Sequence, residues 1–229
     1  MLITLLLVII LIFSAILHEY AHGAMARRLG DDTAEREGRL TLNPLKHLDP
    51  IGSVALPLLL IITKSPFFFA WAKPVPYNPY NLTDKRFGEL KVAAAGPLTN
   101  IAIAAAAALI VRVIDLGAGV KESLFVAALS GDVSAVTAVT SGSVLGGIVL
   151  LALLVCFVNL MLAVFNLIPI PPLDGSKILA AFLPARGKEL MYRLEQYGFV
   201  LLVLLLVTNI LDFVFPLVLN IFAAFTGLM

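Results

Sequence analysis

Apolar runs long enough to cross a lipid bilayer recur along this chain and constrain its fold more than any other feature. The first, MLITLLLVIILIFSAIL, opens the sequence, and others cover residues 90–113, 142–168 and 198–225. A spanning helix needs about 20 mostly apolar residues, and backbone in lipid must satisfy its hydrogen bonds within its own segment. The runs therefore predict an all-α polytopic membrane protein with about four full transmembrane helices.

Composition agrees with a membrane protein and excludes several other classes. The chain is 60% hydrophobic and only 14% charged, with a mean hydropathy of +1.01. A net charge of +1 offers no basic surface for nucleic acid, so we expect no nucleic-acid partner. Cys156 is the one cysteine, which excludes an internal disulfide and a thiolate zinc cluster. The first run lacks the basic leader and cleavage site of a signal peptide, so we expect a retained helix.

Breaks between the runs indicate where the helices end. The first helix is expected from about Leu2 to Leu29, before a polar segment that begins at Gly30. Residues 51–71 have the length of one span but contain two prolines and a lysine, which predicts either a crossing or a re-entrant hairpin. The proline-rich residues 72–82 predict turns and short extended segments, because proline disfavours helix at the residue before it.

Basic residues predict the orientation of the chain in the membrane. They concentrate in three loops, and such loops are normally cytoplasmic. If all three are, residues 51–71 must enter and leave on the same side, and the amino terminus lies outside. HEYAH and PPLDG then both fall near the cytoplasmic ends of their helices and are able to meet. The basic loop residues are Arg27, Arg28, Arg36, Arg39, Lys46, Lys73, Lys85, Arg86, Lys91, Lys177, Arg186, Lys188 and Arg193.

Three ionisable side chains interrupt the first apolar run and indicate a metal site. His18 and His22 are four residues apart, so on a helix they project from one face and are able to grip one zinc ion. Glu19 adjoins that face, where a carboxylate reaches water at the metal without ligating it, which is the HExxH arrangement of zinc hydrolases. The alternatives are packing histidines with Glu19 paired to Arg27 or Arg28, and a proton or ion pathway through a transporter.

A catalytic zinc needs a third protein ligand and an open position for water. The extended pattern HExxHxxGxxH fails, because Met25 and Arg28 stand where it requires glycine and histidine. Asp174 is favoured, since it follows three prolines that stop a helix at the inferred depth of His18. An ordinary Asp-Gly turn has equal weight at that position. The other candidate ligands are His47, Asp49, Glu35, Glu37, Glu189 and Glu195.

Two segments together resemble the site-2 protease family of intramembrane zinc metalloproteases. They are HEYAH in the first helix and FNLIPIPPLDGSKIL after residue 164. LNPLKHLDPIG and WAKPVPYNPYNL are similar to segments of a compact branch of that family without a PDZ domain. The resemblance implies a zinc ion held by His18, His22 and Asp174, with Glu19 as the general base. It also implies substrate or oxyanion contact by Asn166. It matches the AGPLTN segment, whose last residue, Asn100, is a further candidate for substrate or oxyanion contact.

The expected function is that of a zinc-dependent intramembrane endopeptidase acting on membrane-spanning or membrane-associated proteins or peptides. The alternative is a non-catalytic metal-binding transporter or scaffold. We expect one domain, 1–229, with a catalytic core at about 1–188 and a last helix at about 197–226. The resemblance implies a prokaryotic plasma membrane, and the basic loops predict an active site toward the cytoplasm. The sequence leaves the oligomeric state open.

Several polar residues keep two interpretations each. His47 either contacts substrate or gates access, or it has a local structural role. The 72–82 segment is a candidate for pairing with an unwound substrate strand. The acidic residues that follow the first helix either line a water entry or are solvated loop charges, and the second interpretation is favoured. These are Asp31, Asp32, Glu35 and Glu37.

Overall fold

The computed structural model describes residues 2–49, 62, 73–207 and 211–228. It divides into two compact units, one of Met1–Ser14 with Pro97–Met229 (the helical unit) and one of Ala15–Gly96 (the motif unit). No β-strand of two or more residues occurs in the described part of the chain. The all-α class expected from the sequence is confirmed.

Three of the helices are long and apolar enough to cross a membrane: α1, Leu2–Arg28; α3, Gly88–Val113; and α6, Val144–Asn166. Their bounds agree with the predicted spans to within a few residues. The remaining helices are shorter. They are α2, Thr33–Arg36; α4, Ala118–Ser130; α5, Val133–Thr140; α7, Asp174–Ala180; α8, Ala185–Glu195; α9, Gly198–Val207; and α10, Leu211–Thr226.

The last predicted span, 198–225, is described as two helices, α9 and α10. Residues 208–210 between them lie outside the described part of the chain. The re-entrant or crossing segment at 51–71 also lies outside it, except for Ile62. The 72–82 segment is described from Lys73 onward and is non-helical up to a single 3-10 turn, Pro79–Asn81, as its prolines predict.

Helix α6 forms the centre of the helical unit. Helices α4, α5 and α10 pack against it, and its side chains at Leu153, Leu154 and Cys156 are fully buried. Phe222 of α10 stacks on Phe125 of α4 with ring centroids 4.3 Å apart. Aromatic and aliphatic contacts of this kind hold helices together in lipid by close packing.

A buried polar chain links three helices of the same unit. Asn159 of α6 donates to Ser14 of α1 at 2.9 Å, and Asn100 of α3 donates to Asn159 at 2.8 Å. Both asparagines are 0% exposed. Because an unsatisfied amide in hydrocarbon is unfavourable, these bonds fix the rotation of the three helices about their axes.

The motif unit holds the second half of α1, the loops that follow it and the first two turns of α3. Its small apolar core consists of Ala26, Leu82 and Val92. Asp31, just beyond α1, is 0% exposed and accepts hydrogen bonds from the backbone of Asn78 at 2.7 Å and from the Asn81 amide at 2.8 Å. The interpretation of Asp31 as a solvated loop charge is therefore wrong. It ties the 78–81 turn to the end of α1.

Candidate active site

Helix α1 places His18, Glu19 and His22 together, as their spacing predicts. One ligand atom from each lies within 4.8 Å of the other two. The two imidazoles pack edge to face with centroids 4.6 Å apart, and they are only 6% and 8% exposed. Two imidazoles and a carboxylate at this separation form a donor set suited to one divalent cation.

A backbone carbonyl of α3 sets the tautomer of His22. Its Nδ1 lies 2.7 Å from the carbonyl oxygen of Val92. A carbonyl only accepts, so Nδ1 carries the proton and Nε2 carries the lone pair that a metal needs. A metal-binding histidine is commonly held by such a bond to its second ring nitrogen.

The side-chain-free backbone of Gly96 lies against both imidazoles. A Cβ atom built at Gly96 would stand 2.5 Å from His22 Nε2 and 2.6 Å from His18 Nε2. Both rings thus lie directly against the Gly96 backbone, and any side chain at position 96 would displace them. The closeness of the two imidazoles and the fixed tautomer of His22 fit a zinc ion held by His18 and His22.

Glu19 is held by a backbone amide and not by an arginine. The N–H of Val75 donates to Glu19 Oε2 at 2.9 Å. Arg27, which the alternative interpretation pairs with Glu19, instead binds Glu35 at 2.9 Å on the surface. The 73–75 segment lies close along α1, since a Cβ at Gly23 would stand 2.8 Å from Val75 Cγ1.

Asp174 belongs to the helical unit, where it is the first residue of α7. The glycine after it is required by packing, because a Cβ at Gly175 would clash with the backbone oxygens of Leu167 and Ile168. Ser176 donates to the Leu173 carbonyl at 2.7 Å and tightens the same turn. The PPLDG break thus folds back on the end of α6 and holds the backbone of Asp174 firmly.

The other predicted residues have identifiable local contacts. Asn166 donates one amide hydrogen to Leu162 O at 2.8 Å within α6. Asn100 belongs to the buried polar chain of the helical unit. His47 is 2% exposed, and its Nε2 lies 2.8 Å from Thr41 O. Of the alternative ligands, Glu35, Glu189 and Glu195 form ion pairs with Arg27, Arg193 and Lys177.

Four features of the site could not be found from the sequence. The Val75 amide and the Val92 carbonyl are backbone groups, which have no signature in the residue type. Gly96 lies in a segment of small residues, but nothing in the sequence indicates that it faces the imidazoles. Arg39 was counted only as a basic loop residue, yet it is buried among backbone carbonyls.

Several known proteins are similar to this chain. The profile described as "Peptidase family M50" matches residues 78–208, which include Asn100, Asn166 and Asp174. "Putative zinc metalloprotease YwhC" of Bacillus subtilis is 35% identical over 214 residues, which cover 93% of this chain and 85% of that protein.

Two mycobacterial proteins named "Putative zinc metalloprotease Rip2" are more distant. The one from Mycolicibacterium smegmatis is 29% identical over 88% of this chain and 66% of its own length. The one from Mycobacterium tuberculosis strain H37Rv is 28% identical over 87% of this chain and 65% of its own length. No solved structure matches the chain significantly. The profile match over more than half of the chain, together with the similarity to the Bacillus protein, shows that the chain belongs to peptidase family M50, the site-2 protease family of zinc-dependent intramembrane proteases.

Proposed function

We propose that this protease holds one zinc ion with His18, His22 and Asp174 and uses Glu19 as its general base. The observation that carries the proposal is the grouping of His18, Glu19 and His22, whose ligand atoms lie within 4.8 Å of one another beside the backbone of Gly96. Asp174 is proposed as the third ligand because two imidazoles and one carboxylate are a common catalytic zinc set that leaves a position open. The alternative of a non-catalytic transporter or scaffold has no observation in its favour.

The donor set suits hydrolysis of a peptide bond in a site with little bulk water. Zinc, when bound, supplies Lewis-acid chemistry that polarises a peptide carbonyl and makes water nucleophilic near neutral pH. Glu19 accepts the proton of the attacking water and later delivers it to the amine that leaves when the C–N bond breaks. The Val75 N–H orients the carboxylate for both transfers.

We assign Asn166 to the substrate side of the reaction. One of its two amide hydrogens is used by Leu162 O, which leaves the second as a donor to substrate backbone or to the oxyanion. A donor of that kind contributes about 3 kcal/mol to transition-state stabilisation. For Asn100 and His47 the contacts favour a structural role, because each is fully or almost fully buried and bound within its own unit.

The substrate we propose is a membrane-spanning or membrane-associated protein or peptide. An intact helix covers its own peptide carbonyls, so the segment to be cut must unwind first. The non-helical residues 73–78, which reach Glu19 through Val75, are a candidate contact for the unwound strand at the backbone groups that Arg39, His47, Glu19 and Asp31 leave unused. The bacterial relatives support a prokaryotic plasma membrane location, and the basic loops support an active site toward the cytoplasm. We propose that the two units work as one protease domain.

Replacing Glu19 by glutamine in the full-length protein tests the assignment of the base. In proteoliposomes with a single-span test peptide, Glu19→Gln should lower cleavage at least about 100-fold, the lower range for general-base catalysis. Its zinc content should stay at that of the wild type, since Glu19 is not a ligand. His22→Ala should lose both zinc and cleavage.

Glu122→Gln is the matched control, because Glu122 is an exposed helical carboxylate of the helical unit. It should cleave at the wild-type rate. Retained cleavage in Glu19→Gln would overturn the assignment of the base. A wild-type protein that binds zinc, cleaves no membrane peptide and instead supports ion flux would favour the transporter alternative.

A further inference from the structure

Arg39 is a buried arginine whose guanidinium is surrounded by backbone carbonyls. It is 7% exposed, and its Nη2 donates to Lys73 O at 2.7 Å and to Pro74 O at 3.3 Å. Its Nη1 donates to the carbonyl of Lys46. Among the described residues no carboxylate forms an ion pair with it. A buried charge held only by peptide oxygens is unusual and requires a reason.

The carbonyls that Arg39 binds lead directly to the proposed base. Lys73 and Pro74 immediately precede Val75, whose N–H donates to Glu19. The Lys73 N–H in turn donates to His47 O at 2.9 Å, so the 73–75 segment is fixed from both edges. Lys73, Pro74 and Val75 thus connect the guanidinium of Arg39 to the carboxylate of Glu19.

We propose that Arg39 is a positioning residue for the proteolytic reaction. It clamps the 73–75 segment so that the Val75 amide stays on Glu19 and holds that carboxylate in its reactive orientation. The inference rests on the proposed role of Glu19 as the base. Arginine suits the task, because its planar fork donates to several carbonyls at once, whereas a lysine ammonium is a single point donor.

The first test compares turnover and apparent affinity in full-length variants. Arg39→Met should lower kcat about 100-fold, the loss typical of a catalytic group displaced by about 1 Å. KM should change less than about threefold. Zinc content should not change, because the hydrogen bonds of Arg39 go to backbone carbonyls and not to the proposed zinc ligands. Arg39→Lys should recover part of kcat. Arg36→Met is the control, since Arg36 is an exposed neighbour paired with Asp32.

A second pair of variants removes the proposed link without touching Arg39. Val75→Pro deletes the only N–H that Val75 offers, whereas Val75→Thr keeps the N–H and nearly the same shape. Relative to Val75→Thr, Val75→Pro should lower kcat by about as much as Arg39→Met lowers it relative to the wild type. The Arg39→Met and Val75→Pro losses should not add in the double variant, because both remove the same contact.

Hydrogen exchange in the zinc-free protein gives a readout independent of activity. Val75 lies between Pro74 and Pro76, so its amide is the only exchangeable backbone hydrogen between Lys73 and Tyr77. It should be protected in the wild type. In Arg39→Met and in Glu19→Ala it should exchange at least about tenfold faster, the effect of losing one hydrogen bond to a charged group.

The outcomes separate the two proposals. If Glu19→Gln is inactive while Arg39→Met keeps wild-type kcat and Val75 protection, the clamp is wrong and the base assignment stands. If Glu19→Gln still cleaves, the base assignment is wrong, and exchange at Val75 continues to test the clamp. If Arg39→Met does not fold, Arg39→Lys and the comparison of Val75→Pro with Val75→Thr decide whether the clamp exists. Equal kcat in Val75→Pro and Val75→Thr would overturn the clamp.

Discussion

The backbone of a neighbouring helix contacts both imidazoles of the apolar helix α1. Val92 O fixes the tautomer of His22, and the bare Cα of Gly96 lets both rings approach α3. Neither contact uses a side chain of α3. The site therefore depends on how closely two helices approach, which makes the residue at position 96 as important as the ligands themselves.

Alanine at position 96 should remove the metal. The added Cβ would stand 2.5–2.6 Å from the two Nε2 atoms, a distance that requires the rings to move. We expect Gly96→Ala to bind less than about a tenth of the wild-type zinc, because metal sites tolerate only small ligand displacements. Elemental analysis of the purified protein measures this.

Gly147→Ala is the control, because a Cβ at Gly147 in α6 meets nothing within 4 Å. It should bind zinc normally and be slightly stabilised, since alanine favours a helix interior over glycine by about 1 kcal/mol. Full zinc in Gly96→Ala would contradict the assigned geometry.

The sequence predicts the ligand pair but not its surroundings. The four-residue spacing of His18 and His22 fixes their common face once α1 is known to be a helix. Gly96 lies 74 residues beyond His22 in the sequence, and nothing local to either residue specifies that they meet. The contact between the Val75 amide and Glu19 was not predictable for the same reason.

At the scale of elements, short loops are joined to α1 by buried polar contacts. Asp31 accepts from Thr33, Asn78 and Asn81, and so connects the end of α1 to the turn that precedes α3. Burial by itself raises the pKa of the Asp31 carboxyl, but these hydrogen bonds to its charged form outweigh burial and lower the pKa below its ordinary value.

This shift predicts how stability depends on pH. A carboxyl with a lowered folded-state pKa stabilises the fold above its unfolded pKa, about 3.9, and the contribution is lost as pH falls through the folded value. The melting temperature of the wild type in detergent should therefore decrease as the pH is lowered below about 4. Asp31→Asn should have a lower melting temperature than the wild type at neutral pH. Its melting temperature should also decrease less steeply as the pH is lowered.

Asp115→Asn serves as the control for loss of one loop carboxylate, because Asp115 is exposed. If the melting temperatures of the wild type and Asp31→Asn decreased in parallel on acidification, Asp31 would contribute nothing to the pH dependence of stability.

Element boundaries were predictable where the chain carries its own stop signals. Gly30, with a φ of +97°, follows α1, and the prolines after α6 end that helix. The role of Asp31 was not predictable, because its partners Asn78 and Asn81 lie 47 and 50 residues further along the chain. A lone aspartate in a charged loop gives no sign of such distant partners.

At the scale of the molecule, the chain is an integral membrane protein whose charged loops predict its orientation. By the positive-inside rule, the basic loops predict that residues 114–141 lie outside and that the loop before α3 lies in the cytoplasm. Arg112, the one basic residue at the outer end of α3, is used locally, since it donates to the carbonyls of Ala224 and Phe225 at the end of α10. It therefore does not oppose the proposed orientation.

Single introduced cysteines test this orientation in intact cells or oriented vesicles. The native Cys156 is fully buried and should give little background labelling. Ser141→Cys should react with a membrane-impermeant maleimide from the outside, and Lys85→Cys only after the membrane is opened. Both positions are exposed. The reverse labelling pattern would contradict the proposed orientation. It would place the amino terminus in the cytoplasm and the active site toward the outside.

The most direct test of the account is the X-ray absorption spectrum, at the zinc K-edge, of the purified full-length protein. We predict a stoichiometric zinc with two imidazoles and only nitrogen and oxygen neighbours, at about 2.0–2.2 Å. Zinc with fewer than two imidazoles, a sulfur neighbour from Cys156, or protein that retains no zinc would contradict the claim that His18 and His22 hold the catalytic metal.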